Sequence, residues 1–175
     1  MKLRHLFFAC SGVFVMMFSL LLLVVIVFSD EEDGGSGGNL IYGGVSVSQE
    51  VLAHKPMLEK YAREYGIEEY LNVLLAIIQV ESGGTLEDVM QSSESLGLPP
   101  NSLSTEESIK QGCKYFSELL AAAETKGCDL NSVIQSYNYG GGFLDYVAGR
   151  GKKYTFELAE SFARDKSSGK KVTYT

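Results

Sequence analysis

The segment that most constrains the fold of this chain runs from residue 71 to residue 84 and reads LNVLLAIIQVESGG. It predicts a helix, because its apolar residues recur at three- and four-residue spacing and form two stripes around most of the circumference. A helix that is apolar on most sides needs protein around it, so we expect it at the centre of the core. The stripes consist of Leu71, Leu74, Leu75 and Ile78, and of Val73, Ile77 and Val80.

Glu81 stands at the C-terminal end of this helix, before Ser82 and a Gly83-Gly84 pair that can supply the left-handed turn of a helix end. Partial burial and the negative end of the helix dipole both disfavour the charged carboxylate, so both raise its pKa. A carboxyl group that stays protonated near neutral pH can serve as a general acid. On this segment alone, a surface glutamate at a frayed helix end is the alternative.

The remaining pattern is helical almost throughout. Helices are predicted from Pro56 to about Gly66, from Ser104 or Thr105 to Gly127, and over residues 130–137, 143–148 and 156–163. Residues 86–100 are irregular and end in two prolines, which cannot continue a helix. No stretch shows sustained strand alternation. The predicted fold class is therefore all-α.

The N-terminal quarter of the sequence predicts a membrane anchor. An uncharged run of 23 residues begins at Leu6 and ends at Phe28, long enough to cross a hydrocarbon core of roughly 30 Å. Basic residues precede it and acidic residues follow, which predicts a cytoplasmic N-terminus over residues 1–5 and an extracytoplasmic domain. A cleaved signal peptide is the alternative. Residues 29–45 are acidic and Gly/Ser-rich and predict a tether to a domain at residues 46–175.

Composition excludes several classes of function. The net charge of −7 argues against nucleic acid as a partner. Two histidines and three cysteines show no ligand spacing, so we expect neither metal nor cofactor. Cys113 and Cys128 would be separated by roughly 20 Å of helix axis, too far for a disulfide.

Three local strings occur in a specific order: VESGG at residues 80–84, DVMQSSES at 88–95 and SYNYGGG at 136–142. In order and spacing they resemble the lysozyme-like superfamily of goose-type lysozymes and lytic transglycosylases. The chain more closely resembles the CwlT-type lysozyme-like domain of Gram-positive cell-wall hydrolases. The resemblance covers nearly all of the predicted extracytoplasmic part, and it implies a lysozyme-like helical domain. Together with the uncharged run at residues 6–28, the predicted architecture is a lysozyme-like helical domain behind one transmembrane helix.

The resemblance also implies site residues. Glu81 matches the catalytic acid of the family, and the amide of Gln91 is expected to pair with sugar groups. Tyr137 and Asn138 match an aromatic and amide pair near the acid, although a core tyrosine and a helix C-cap are alternatives. Residues of the same strings expected to contact substrate are Ser82, Ser92 and Gly140.

The implied activity is cleavage of peptidoglycan glycan strands between N-acetylmuramic acid and N-acetylglucosamine. A hydrolase needs a second carboxylate besides the general acid, and Glu94 and Asp88 are the candidates. A lytic transglycosylase, which forms 1,6-anhydro ends with the 6-hydroxyl of the sugar itself, remains an alternative. A weakly catalytic glycan-binding scaffold is another, and its partners would be proteins of wall synthesis or division.

Overall fold

The computed structural model describes residues 40–42 and 45–167, and the chain divides into two compact units at Ser117 and Glu118. The predicted cytoplasmic segment, membrane helix and most of the tether lie outside the described residues. Within the described ranges, no helix combines the length and apolar character that a membrane crossing requires. The described chain is predominantly helical, as predicted.

The first unit opens with a two-stranded antiparallel ribbon. Strand β1 spans Leu40–Tyr42 and strand β2 spans Val45–Val47, with Leu40 opposite Val47. The ribbon departs from the all-α prediction and lies across the predicted junction between tether and domain. Strands of three residues are too short to show the alternation by which a sequence reveals a strand.

Three helices follow the ribbon in the first unit. Helix α1 spans Gln49–Ala53, α2 spans Lys55–Glu64 with a proline in its first turn, and α3 spans Leu71–Glu81. A short 3₁₀ turn at Glu68–Tyr70 leads into α3. Helix α3 therefore has the bounds that the sequence predicted, and β2, α1 and α2 all pack against it.

Helix α3 is the core of the first unit. Its residues from Val73 to Ile78 are all buried, which matches an apolar pattern that runs around the helix. Ser82 ends the helix, and Gly83 and Gly84 both have positive φ, as the predicted glycine turn requires.

After α3, the chain is irregular apart from a 3₁₀ turn at Ser92–Leu96. Helix α4 then spans Thr105–Lys126 and runs from the first unit into the second. Ser104 precedes α4, and its backbone N–H donates to the Glu107 carboxylate at 3.1 Å. This capping contact confirms the predicted start of the helix.

The second unit continues with three further helices. Helix α5 spans Leu130–Tyr139, α6 spans Gly142–Ala148 and α7 spans Phe156–Lys166. Phe143 and Phe162 are buried and meet edge to face, with ring centroids 5.2 Å apart. Helix α5 is two residues longer than predicted, so Asn138 lies inside the helix and is not its cap. Cys113 and Cys128 are both free thiols, as expected.

Candidate active site

Glu81 is the last residue of α3, and its carboxyl group has a strongly perturbed pKa. Burial raises the pKa to about 8, and the negative charges of Glu94 and Asp88 act in the same direction. The residue is nevertheless only partly buried, so its carboxyl group keeps some access to solvent. Burial therefore raises the pKa of Glu81 as predicted, and the charges of two carboxylates in the segment at residues 88–95 raise it further.

Asp88 is fully buried and serves as a hydrogen-bond acceptor for the chain around it. Its Oδ1 accepts the Ser92 backbone N–H at 3.0 Å and the Ser108 hydroxyl at 2.6 Å. Its Oδ2 accepts the Ser93 backbone N–H at 3.3 Å. Asp88 thus fixes the turn that leads to Glu94 and ties it to the first part of α4.

Glu94 differs from Asp88 in its exposure. It lies in the 3₁₀ turn at Ser92–Leu96, and it is exposed to solvent. Of the two carboxylates that raise the pKa of Glu81, Glu94 has the larger effect. It therefore combines an electrostatic effect on Glu81 with access to solvent.

Gln91 is buried in an unusual backbone conformation next to these acids. Its φ of 47° lies in the left-handed region, which residues other than glycine rarely adopt. Its side-chain amide nitrogen donates to the Asp88 carbonyl and to Asn101 Oδ1, both at 2.8 Å. Both amide hydrogens are used inside the protein, so any sugar contact would have to come from Oε1.

Ser82 and Ser92 make internal hydrogen bonds. Ser82 Oγ donates to the Val89 carbonyl at 2.8 Å and accepts the Gly84 N–H at 3.0 Å. Ser92 is buried, and its Oγ donates to the Ser108 carbonyl at 2.9 Å. Each serine therefore connects the surroundings of Glu81 to a neighbouring segment, and a contact with substrate stays a prediction for both.

The second unit holds the other predicted site residues. Tyr137 is buried in α5, Asn138 follows it, and both have interaction partners within the protein. Gly140 caps α5 with a φ of 82°, and a β-carbon added at this residue would point into open space. The backbone conformation, and not a close approach, accounts for glycine there. The proposed association of these residues with Glu81 stays a prediction.

Comparison with known proteins identifies the fold of this site. The profile of lysozyme-like proteins matches residues 48–175, which is most of the chain. The chain belongs to the lysozyme-like family. The matched range includes Glu81, Asp88 and Glu94.

Curated relatives support a CwlT-type domain. Over 124 residues the chain is 44% identical to the bifunctional muramidase/DL-endopeptidase CwlT of Bacillus subtilis, covering 70% of this chain and 37% of CwlT. It is 37% identical to the uncharacterized membrane protein YocA of the same species, covering 74% of this chain and 58% of YocA. The predicted resemblance to CwlT-type lysozyme-like domains is confirmed.

The chain is also similar to a protein of known crystal structure from Staphylococcus aureus. The protein, described as similar to a lipoprotein of the NLP/P60 family, is 73% identical and superimposes with a TM-score of 0.72. The match covers 73% of this chain and 43% of that one. The chain thus spans between about two fifths and three fifths of the length of these three relatives.

Several residues of the lysozyme-like site could not be found from local patterns. Asn101 bonds to Gln91 and Ser108 bonds to Asp88, across 10 and 20 positions of the chain. From the sequence, His54 is considered only as a metal ligand, and its spacing from other candidate ligands excludes that role. In the structure its Nε2 lies 2.9 Å from the Gly84 carbonyl, a contact that the sequence does not indicate. Among the described residues, no group of three or more His, Cys, Asp or Glu side chains could hold a metal ion.

Proposed function

We propose that the chain is a membrane-anchored enzyme that cleaves peptidoglycan glycan strands between N-acetylmuramic acid and N-acetylglucosamine. Glu81 acts as the general acid. Residues 6–28 hold the catalytic domain at the outer face of the cell membrane. Support comes from the lysozyme-like family, and from a relative whose name describes a muramidase.

The pKa of Glu81 carries this proposal. Cleavage of a glycosidic bond requires a proton on the leaving oxygen while the sugar becomes oxocarbenium-like. A carboxyl group with a pKa of about 8 is largely protonated at neutral pH and can supply that proton. Lysozyme itself provides the precedent for such an acid, a glutamate whose pKa is raised because it lies in an apolar pocket.

Glu94 is the better candidate for the second carboxylate. Both oxygens of Asp88 accept hydrogen bonds from buried donors, so Asp88 has a structural task. Glu94 is exposed and close enough to raise the pKa of Glu81. In a hydrolase, Glu94 would activate water or attack the sugar, whereas a transglycosylase would not need it.

The decisive experiment compares Glu81→Gln with the wild type in a cell-wall digestion assay. We expect glycan cleavage to fall by at least ~100-fold, because general acid catalysis is typically worth that much or more. Glu87→Gln, an exposed substitution in the following loop, is the matched control and should keep wild-type activity. Undiminished cleavage by Glu81→Gln would disprove the assignment.

Product analysis separates the remaining alternatives. Reducing ends indicate hydrolysis, whereas 1,6-anhydromuramoyl ends indicate transglycosylation. A Glu94→Gln variant that still cleaves and yields anhydro ends would favour the transglycosylase. Binding to purified wall by wild type and Glu81→Gln alike, without released sugar, would favour the scaffold and rule out the enzyme.

A further inference from the structure

We propose that residues 48–54 form a clamp that holds the turn after Glu81, so that Ser48 and His54 are positioning residues for the catalytic acid. The clamp lies between β2 and α2, and includes all of α1. The inference rests on the proposed function of Glu81 and names the segment that sets the position of its carboxyl group.

Three hydrogen bonds join the clamp to the end of α3. The Ser48 backbone N–H donates to Gln79 Oε1 at 2.7 Å, and Ser48 Oγ donates to the Gly83 carbonyl at 3.3 Å. His54 Nε2 lies 2.9 Å from the Gly84 carbonyl. A carbonyl oxygen only accepts, so Nε2 carries the hydrogen of this bond. The three bonds hold the chain on both sides of Glu81.

Gly84 shows how closely the clamp approaches the turn. A β-carbon at Gly84 would lie 2.7 Å from the Glu50 carbonyl carbon and from the Val51 nitrogen. Both are backbone atoms, which cannot move aside as a flexible side chain can. The absence of a side chain at Gly84 is therefore required for contact between the clamp and the turn.

The clamp can affect Glu81 because the two are separated by very little chain. Ser82 ends α3, Gly83 and Gly84 follow directly, and neither glycine has a side chain that could fix the turn by itself. A displacement of about 1 Å at a catalytic group can reduce the rate by ~100-fold. Release of the turn should therefore reduce catalysis more than substrate binding.

The first test compares His54→Ala with His54→Gln in the full-length protein. The glutamine amide nitrogen is as many bonds from Cβ as Nε2 of histidine, so it can restore the hydrogen bond to Gly84. We expect His54→Ala to lower kcat by about tenfold or more with KM changed less than about twofold, and His54→Gln to recover most of kcat. Wild-type kcat in His54→Ala, or no recovery in His54→Gln, would overturn the proposal.

Thr155→Ala controls for a general loss of stability. Thr155 caps α7 by accepting the Leu158 N–H at 3.2 Å, and it belongs to the second unit. Its loss weakens the fold without altering the clamp. We expect kcat of Thr155→Ala to match the wild type at a temperature where both are folded. A drop equal to that of His54→Ala would mean that the histidine effect is one of stability alone.

Gly84→Ala and Gly83→Ala form a second matched pair. Both glycines have positive φ, so both substitutions strain the backbone. At Gly83 the nearest atom to a β-carbon is Gln79 Nε2 at 3.9 Å, so only Gly84→Ala pushes the clamp away. We expect kcat of Gly84→Ala to be lower than that of Gly83→Ala by about tenfold. Equal kcat values would contradict the clamp.

An NMR titration of the Glu81 carboxyl carbon tests the clamp without using activity. The signal is assigned by its absence in Glu81→Gln, and the neighbouring acids Glu94 and Asp88 stay in place. Neither His54→Ala nor His54→Gln carries an imidazole charge, so a difference between them reports the hydrogen bond. We expect the carboxyl pKa to move toward its ordinary value in His54→Ala and to return in His54→Gln. Identical titrations would reject the clamp even if no glycan is cleaved. Absence of glycan cleavage by the wild-type protein would reject the proposed function but not the clamp.

Discussion

Asp88 has no contact with solvent, and each of its carboxylate oxygens accepts at least one hydrogen bond from the chain around it. Asparagine has one oxygen where aspartate has two, so Asp88→Asn would place an amide N–H₂ against a buried donor. An unsatisfied buried polar group costs about 1–3 kcal/mol. We expect Asp88→Asn to lose about that much free energy of unfolding, measured by urea denaturation.

The control for Asp88→Asn is Glu87→Gln, which changes the neighbouring acid in the same chemical way. Glu87 is exposed, so its substitution should alter the free energy of unfolding by no more than about 0.5 kcal/mol. Equal stabilities of the two variants would show that the hydrogen bonds of Asp88 contribute little.

Glu94 permits a test of how charge sets the pKa of Glu81. Removing the negative charge in Glu94→Gln removes one of the two repulsions that raise this pKa, so the pKa should fall. A general acid works in its protonated form, and activity is lost as pH rises through its pKa. We therefore expect the alkaline limb of the pH–kcat/KM profile to move to lower pH in Glu94→Gln.

The direction of that shift is diagnostic whether or not Glu94 takes part in the chemistry. If Glu94 also activates water, kcat falls as well, but the alkaline limb of the residual activity still moves. An unchanged alkaline limb would mean that Glu94 does not act on the ionisation of Glu81. Glu87→Gln, for which the profile should match the wild type, is again the control.

At the scale of elements, helix α5 depends on Asp129 for its position in the second unit. Asp129 Oδ1 accepts the Ser132 N–H at 3.0 Å, which caps the helix. The same carboxylate accepts the Tyr154 N–H, with its two oxygens at 3.1 and 3.2 Å. One side chain thus caps α5 and joins it to the loop before α7.

Replacement of Asp129 by alanine removes both functions. We expect Asp129→Ala to lose about 2–3 kcal/mol of unfolding free energy, because a lost cap costs about 1 kcal/mol and bonds to a charged acceptor add more. Thermal unfolding followed by circular dichroism measures the change. Asp165→Ala, at an exposed position in α7, should leave the midpoint nearly unchanged. A similar midpoint for both variants would contradict the double role of Asp129.

At the scale of the whole molecule, the parts predictable from sequence are those determined by local patterns. The bounds of α3 follow from its apolar period and its glycine pair, and both are read within a single short segment of the chain. The bonds of Ser108 to Asp88 and of His54 to Gly84 join residues 20 and 30 positions apart. The hydrophobic periodicity of a short segment carries no information about such contacts. The turn around Glu94 and the clamp are therefore seen only in the three-dimensional structure.

The raised pKa of Glu81 also affects the stability of the entire protein. An unfolded chain releases this proton near the ordinary value of 4.5, whereas the folded protein keeps it up to a pH of about 8. The contribution of Glu81 to the free energy of unfolding is therefore fully present below about pH 4.5 and falls as the pH rises between these values. It reaches its lower limit above about pH 8. Glutamine is neutral at every pH, so the Glu81→Gln variant does not lose unfolding free energy in this way.

We therefore expect Glu81→Gln to be more stable than the wild type in alkaline solution and closer to it at about pH 5. The difference in unfolding free energy should grow by about 2–4 kcal/mol between about pH 5 and about pH 9, at roughly 1.36 kcal/mol per pKa unit and reduced by partial solvent access. Urea denaturation of both proteins across this range measures it. The other ionisable groups are common to both proteins, so their contributions cancel in the difference. A constant difference across the range would show that Glu81 ionises in the folded protein as it does in the unfolded chain, and would remove the main support for its role as the acid.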